Sequence, residues 1–105
     1  MTIESGKTSD TWDERHLTEL FAALSQLKGP SEFQAFFEDL CTPAELRSMA
    51  DRWRVTQLLE QGMSYRLINE KSGVSTATIT RVARSLTYGS GGYRTLLKRQ
   101  KGEIL

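Results

Sequence analysis

The chain has 105 residues, of which 38% are hydrophobic, and this length favours one domain with a modest core. No stretch approaches the roughly 18 consecutive apolar residues of a transmembrane helix, and the single Cys41 excludes an internal disulfide, so we expect a cytoplasmic protein without a membrane partner. The net charge of +1 conceals a division: residues 1–51 carry 4 Lys/Arg and 10 Asp/Glu, giving −6, whereas residues 52–105 carry 10 and 3, giving +7.

The first half of the sequence predicts a short arm and three helices. Residues 1–10 are polar and poor in apolar side chains, which is typical of a flexible arm, and a helical domain follows from residue 11 to residue 105. Gly29 and Pro30 interrupt the apolar periodicity and are expected to end the first helix. The three predicted helices span residues 11–28, 31–41 and 43–61. Each begins with a capping pattern: Thr11 with Glu14, Ser31 with Gln34, and Thr42 with Glu45 around Pro43.

The first two predicted helices carry unusually bulky apolar stripes. Leucine and phenylalanine fill them, from Leu17 to Leu27 and from Phe33 to Leu40. These stripes could pack on the third helix of the same chain. We expect that they also interlock with a second copy, because a two-fold homodimer would hold two DNA-reading helices about 34 to 36 Å apart, one turn of duplex.

The segment from residue 64 to residue 86 predicts a helix-turn-helix. Ser64 can cap a helix that ends near Ser72, Gly73 suits a left-handed turn, and Ser75 can cap a second helix that ends near Leu86. Asn69 departs from the usual pattern, which prefers a small apolar residue there, and Ser72 replaces a usual apolar residue before the turn.

The outer flank of the second helix suits the major groove of DNA. Small residues allow close approach, threonines reach base edges and arginines bind guanine or phosphate. This flank also lies in the basic half of the chain, as expected of a phosphate-binding surface. The alternative is an ordinary helical hairpin with solvated threonines. The flank consists of Thr76, Ala77, Thr78, Thr80, Arg81 and Arg84.

A glycine-rich loop, residues 87–93, and a last helix, residues 93–101, complete the predicted chain. We find no strand-like alternation, so the sequence predicts an all-α fold of about six helices. No carboxylate pair, nucleophile–base set, metal-ligand cluster or phosphate loop stands out, and we therefore expect neither an enzyme nor a metal site.

The run LCTPAELRSMADRWRVTQLLEQGMSYRLINEKSGVSTATITRVARSL resembles the Trp-repressor superfamily. FFEDLCT, STATITRV and YGSGGY are similar to its YerC/YecD-type branch of Trp-repressor-like proteins. The resemblance implies an intertwined, all-helical homodimer that acts as a DNA-binding transcriptional regulator, in the family's case a repressor. It also implies base-reading roles for Thr76, Ala77, Thr78 and Thr80, a place near the groove edge for Arg66, and phosphate contacts for Arg54, Lys71 and Arg84.

The resemblance further implies a corepressor pocket in the tryptophan-responsive members. The two arginines that would sandwich an indole ring correspond to Arg52 and Arg81, and Thr42 and Ser85 match other pocket positions. Val82 stands where tryptophan-binding members have glycine, and its branched side chain would occupy the space of the ring. A small-molecule corepressor stays open, with tryptophan disfavoured, and Arg52 could instead pair with a phosphate or carboxylate.

Our leading hypothesis is a sequence-specific regulator that reads a two-fold operator in double-stranded DNA through helix 75–86, with gating by a small ligand left open. One alternative is the DNA-targeting module of a recombinase, transposase or sigma-like factor, but this chain has no room for the further domain that such proteins need. Another is a helical protein-interaction or ligand-sensing domain that does not bind DNA.

Overall fold

The computed structural model describes residues 9–102 and contains six α-helices in that range. Residues 9–102 contain no strand, and none of their helices is long and apolar enough to cross a membrane. The all-α prediction is confirmed. The helices are α1 (Ser9–Leu24), α2 (Gly29–Leu40), α3 (Pro43–Glu60), α4 (Tyr65–Ser72), α5 (Thr76–Tyr88) and α6 (Gly92–Gln100).

The chain divides into two compact units, Met1–Thr42 and Pro43–Leu105. The first contains α1 and α2. Most of the predicted N-terminal arm and the side chain of Thr11, with its capping box, lie outside the described residues, and α1 begins at Ser9.

The first helix ends at Leu24, four residues before the predicted end at Lys28. The Ser25 hydroxyl donates to the Ala22 carbonyl at 2.6 Å, and the next amides bond three residues back instead of four. This tight turn ends the α-helical ladder, because a serine that bonds to local backbone competes with helix continuation. The apolar spacing of Leu27 suggested a longer helix, and that prediction was wrong.

The second helix begins at Gly29, two residues before the predicted capping residue Ser31. Pro30 lies in its first turn, where the missing amide hydrogen is not needed and the fixed φ suits the helix. The backbone amide of Lys28 donates to the Glu32 carboxylate at 2.8 Å, and Gln34 instead donates to Glu38 at 2.8 Å. The predicted Ser31–Gln34 capping box was therefore wrong. Gly29 and Pro30 form the first turn of α2, although the sequence predicted that they only end the first helix.

The first unit exposes much of its apolar stripe. The exposed fractions are 51% for Leu17, 63% for Phe21, 41% for Phe33 and 49% for Leu40. Phe36 and Phe37 are half-buried and meet edge to face, with ring centroids 5.9 Å apart. Such bulky exposed side chains are typical of a surface that another chain covers.

The second unit has a compact core formed by α3, α4 and α5. Its buried apolar side chains are Val55, Leu58, Ile68, Val74, Ile79 and Val82. The helix α3 ends at Glu60, one residue before the predicted end, and α6 runs one residue earlier than predicted at both ends. At the far end of the unit, the Lys101 ammonium contacts the Glu60 carboxylate at 2.5 Å and ties the end of α6 to the end of α3.

Candidate nucleic-acid interface

The helix-turn-helix is confirmed in its local structure. Ser64 caps α4, because its hydroxyl oxygen accepts the Leu67 amide hydrogen at 3.2 Å, and α4 ends at Ser72 as predicted. Gly73 has φ +76°, and its amide donates to the Asn69 carbonyl at 2.9 Å. A residue with a side chain is strained in this left-handed conformation, so glycine allows the sharp turn between α4 and α5.

Asn69 and Ser72 hold the turn by hydrogen bonds. The Asn69 amide nitrogen donates to the Val74 carbonyl at 2.8 Å. The Ser72 hydroxyl donates to the Ile68 carbonyl at 2.6 Å and accepts the Val74 amide hydrogen at 3.1 Å. We call these three bonds the turn clasp. They explain why two polar residues can stand where helix-turn-helix proteins prefer apolar ones. Asn69 and Ser72 stabilise the turn by hydrogen bonds to main-chain groups, whereas apolar residues would stabilise it by packing between the two helices.

Ser75 caps α5 as predicted. Its hydroxyl oxygen accepts the Thr78 amide hydrogen at 3.2 Å and also lies 3.1 Å from the Thr78 hydroxyl oxygen. The helix continues to Tyr88, two residues beyond the predicted end at Leu86. Gly89 follows it, and a Cβ at that position would lie only 2.3 Å from the Ser85 carbonyl oxygen. The start of α5 is therefore set by a serine and its end by a glycine.

The predicted groove-reading flank of α5 faces solvent. The side chains of Ile79 and Val82 are 0% and 1% exposed, so they anchor the inner face of the helix in the core. On the outer flank Thr78 is half-buried, and the remaining residues are exposed: Thr76, Ala77, Thr80, Arg81 and Arg84. The arrangement offers hydroxyl groups at the front of the helix and guanidinium groups toward its end, at positions a duplex can reach.

Two of the residues predicted to contact phosphate meet at one cleft. Arg54 of α3 and Lys71 of α4 are both exposed and line a cavity of about 240 Å³, together with Asp51, Leu58, Ser72 and Val74. The cavity adjoins the turn clasp through Ser72. Two cations and the one carboxylate of Asp51 leave this cavity with a net positive charge beside the start of α5, which favours a nearby phosphate.

Arg66 of α4 is exposed and has a partner that the sequence analysis missed. Its Nη1 lies 3.3 Å from the Glu70 carboxylate, one helical turn away. The spacing of four residues between opposite charges could have revealed this pair. Glu70 therefore belongs to the candidate interface.

The predicted ligand residues are divided among separate elements of the chain. Arg52 is half-buried, and its Nη1 donates to the Ser48 hydroxyl at 2.9 Å, whereas Arg81 and Ser85 are exposed and Thr42 belongs to the first unit. A separate open cavity of about 620 Å³ includes Ser85 in its lining but neither arginine. Its other lining residues are Trp53, Gly89, Ser90, Gly91, Gly92, Tyr93 and Leu96.

Comparison with known proteins gives consistent matches. The family model for the Trp repressor protein matches residues 15–101. The uncharacterized protein YerC of Bacillus subtilis is 42% identical over 87 residues, which cover 83% of this chain and 84% of that protein. A Trp operon repressor homolog of Chlamydia caviae is 37% identical over 75 residues, 70% of this chain and 74% of that protein. The crystal structure of a TrpR like protein from Eubacterium eligens superposes with a TM-score of 0.78 at 42% identity, covering 83% of this chain and 90% of that one.

Proposed function

This chain belongs to the Trp repressor protein family, and from that premise we propose that it is a sequence-specific, DNA-binding transcriptional regulator that acts as a repressor in the cytoplasm. The single observation that carries the proposal is the exposed flank of α5, which holds Thr76 and Thr80 at its front and Arg81 and Arg84 behind them. A helix of this kind fits the major groove, where its first turns contact base edges.

The contacts with DNA would divide between two groups of residues. Thr76, Ala77, Thr78 and Thr80 would contact base edges and thymine methyl groups, because their side chains are short enough for the helix backbone to approach the bases. The cations Arg54, Lys71 and Arg84 would contact phosphates and fix the register of α5 along the groove. The turn clasp supports this role, since the bonds from Asn69 and Ser72 to Val74 cross the turn between α4 and α5.

The regulator would act as an intertwined homodimer on a two-fold operator. The exposed apolar side chains of the first unit, led by Phe21 at 63% exposure, support this assembly because water-exposed phenylalanine is unfavourable. Two copies of α5, held about one turn of duplex apart, would read two half-sites in successive major grooves. The two-fold symmetry of the protein would then appear in the operator.

Any small molecule that gates this regulator is expected to differ from tryptophan. Val82 is 1% exposed and packs in the core of the second unit. Its side chain therefore stands at the position where tryptophan-binding members have only a hydrogen. Adding L-tryptophan to a DNA-binding assay is expected to leave the affinity unchanged, and a clear increase in affinity would contradict this part of the proposal.

Selection of bound duplexes from a random pool tests the main proposal. We expect a palindromic site, with an affinity that falls steeply with salt at a log–log slope of about −0.9 per phosphate contact. Thr80→Ala should weaken binding to that site by about 1 to 3 kcal/mol at one base pair per half-site. Thr18→Ala is the matched control, because Thr18 is an exposed helical threonine of the first unit.

Two outcomes would contradict the DNA-binding proposal. The first is weak, salt-insensitive binding to every duplex. The second is equal loss of binding for the Thr80 and Thr18 variants, since only Thr80 lies on the proposed reading helix. Either result, together with a protein that co-purifies in stoichiometric amount, would favour the protein-interaction alternative.

A further inference from the structure

Glu70 is the only acidic residue between residues 61 and 102, a stretch that includes the whole helix-turn-helix. Its carboxylate lies 3.3 Å from the Arg66 guanidinium, and both side chains stay largely in solvent, with 86% of Arg66 and 54% of Glu70 exposed. The one negative charge between residues 61 and 102 is thus placed beside an arginine of the candidate interface.

Stability does not explain this placement. An exposed ion pair contributes little to folding. The order of the pair along the helix, with the cation N-terminal to the acid, is the less favourable one. Glu70 also lies in the last turn of α4, where a negative charge opposes the helix dipole. A carboxylate here further weakens the attraction of the basic surface for phosphates.

The geometry suits the orientation of Arg66. Ile68 is fully buried, and positions two residues before and two residues after it fall on the opposite side of a helix, so Arg66 and Glu70 both face away from the core. The ion pair restricts a long side chain that would otherwise sample many rotamers. Because only Nη1 contacts Glu70, the other donors of the guanidinium are left for a second partner.

We propose that Glu70 is a specificity-determining residue, which orients Arg66 toward a guanine of the operator and repels the phosphates that would otherwise bind this arginine. Guanine offers the two acceptors, O6 and N7, that match a guanidinium fork. This inference rests on the proposed DNA-binding function, and it assigns Glu70 two effects of opposite sign: higher selectivity and lower general affinity.

The test compares the wild-type chain with Glu70→Gln on three duplexes. The first is the duplex selected by the wild type. The second is the same duplex with one G·C pair that recurs among the selected duplexes changed to A·T in each half-site. The third is an unrelated duplex. Glu70→Gln should bind the unrelated duplex about 2- to 5-fold more tightly, as expected for loss of one exposed charge interaction. Its preference for G·C over A·T should fall by about 5-fold or more, part of the discrimination that an arginine–guanine contact provides.

Glu60→Gln is the matched control. It removes the same charge from another exposed carboxylate that is paired with a cation, but at the end of α3. This variant should leave the G·C preference unchanged. Glutamine has nearly the length of glutamate, and far-UV circular dichroism should show that both variants keep the helix content of the wild type at the assay temperature.

Arg66→Ala separates orientation from simple repulsion. It should abolish the preference at the same base pair, and adding Glu70→Gln to it should then change no preference. The proposal is overturned if Glu70→Gln tightens binding to all three duplexes equally, if it changes nothing, or if Arg66→Ala keeps the G·C preference. In each of these cases a wild type that still selects a palindrome leaves the proposed function standing. A wild type that selects no duplex would remove both.

Discussion

Replacing Ser72 by alanine should destabilise the second unit, because this one hydroxyl makes two bonds of the turn clasp. The substitution removes a hydrogen bond to the Ile68 carbonyl at 2.6 Å and leaves the Val74 amide, next to a side chain only 8% exposed, without its acceptor at 3.1 Å. Each bond is worth about 1 kcal/mol. Alanine regains roughly 0.5 kcal/mol through its higher helix propensity. The expected net loss is about 1.5 kcal/mol.

Urea unfolding at a fixed protein concentration measures this loss, which corresponds to a fall in Tm of about 5 to 10 °C. Hydrogen exchange at the Val74 amide should accelerate by about tenfold, since that amide loses its acceptor. Ser85→Ala is the control, because Ser85 is an exposed serine of α5 for which the structure describes no side-chain hydrogen bond. If both variants unfold at the same urea concentration as the wild type, the two bonds of Ser72 contribute nothing and the reasoning fails.

Three further substitutions probe the turn, the assembly and the α3–α6 contact. Gly73→Ala should destabilise the chain by about 1 to 2 kcal/mol in urea unfolding, because φ is +76°, whereas Gly92→Ala, at a position with open space and no positive φ, should be neutral or slightly stabilising. Phe21→Lys should weaken the proposed homodimer by about tenfold or more in sedimentation, and an unchanged dimer would contradict the proposed role of the exposed stripe. The hydrogen bond from Lys101 and the charge of this ammonium lower the pKa of Glu60 from 4.5, so the pair stabilises the fold fully above pH 4.5 and loses its effect as the pH falls through the lowered pKa. Lys101→Met should therefore have a lower Tm than the wild type at pH 7, and this difference should shrink in acid. A Tm difference that stays constant from pH 7 to pH 3 would refute the role of this ion pair.

The sequence predicts the helix-turn-helix well because its signals are local. Ser64 and Ser75 cap their own helices within three residues, and Gly73 is the one residue of the turn that adopts a positive φ without strain. Burial of Ile79 and Val82 follows from their spacing along one helix face. Local chemistry of this kind needs no knowledge of the rest of the fold.

Other features depend on competition between signals. At the end of α1 the apolar spacing of Leu27 favoured a longer helix, whereas the hydroxyl of Ser25 bonds to the backbone and a tight turn forms. At Gly29 and Pro30 the same two residues could end one helix or begin the next, and periodicity alone does not distinguish these outcomes.

The candidate site shows the same contrast. The exposed flank of α5 follows from the helix periodicity, because the buried positions determine which side faces out. The hydrogen bond from Asn69 to Val74 joins a helix to the segment beyond the turn, so no periodic pattern contains it. The ion pair between Arg66 and Glu70 could be predicted from their spacing of four residues. Its place in the candidate interface could not, because that depends on which side of α4 is exposed.

Each bond of the turn clasp has a main-chain group at one end. Substitutions on the outer flank of α5 leave those groups in place, so descendants of this sequence can change that outer surface while retaining the same turn. Under the proposed function, new base preferences would then arise by substitutions on that flank alone, without an intermediate that fails to fold.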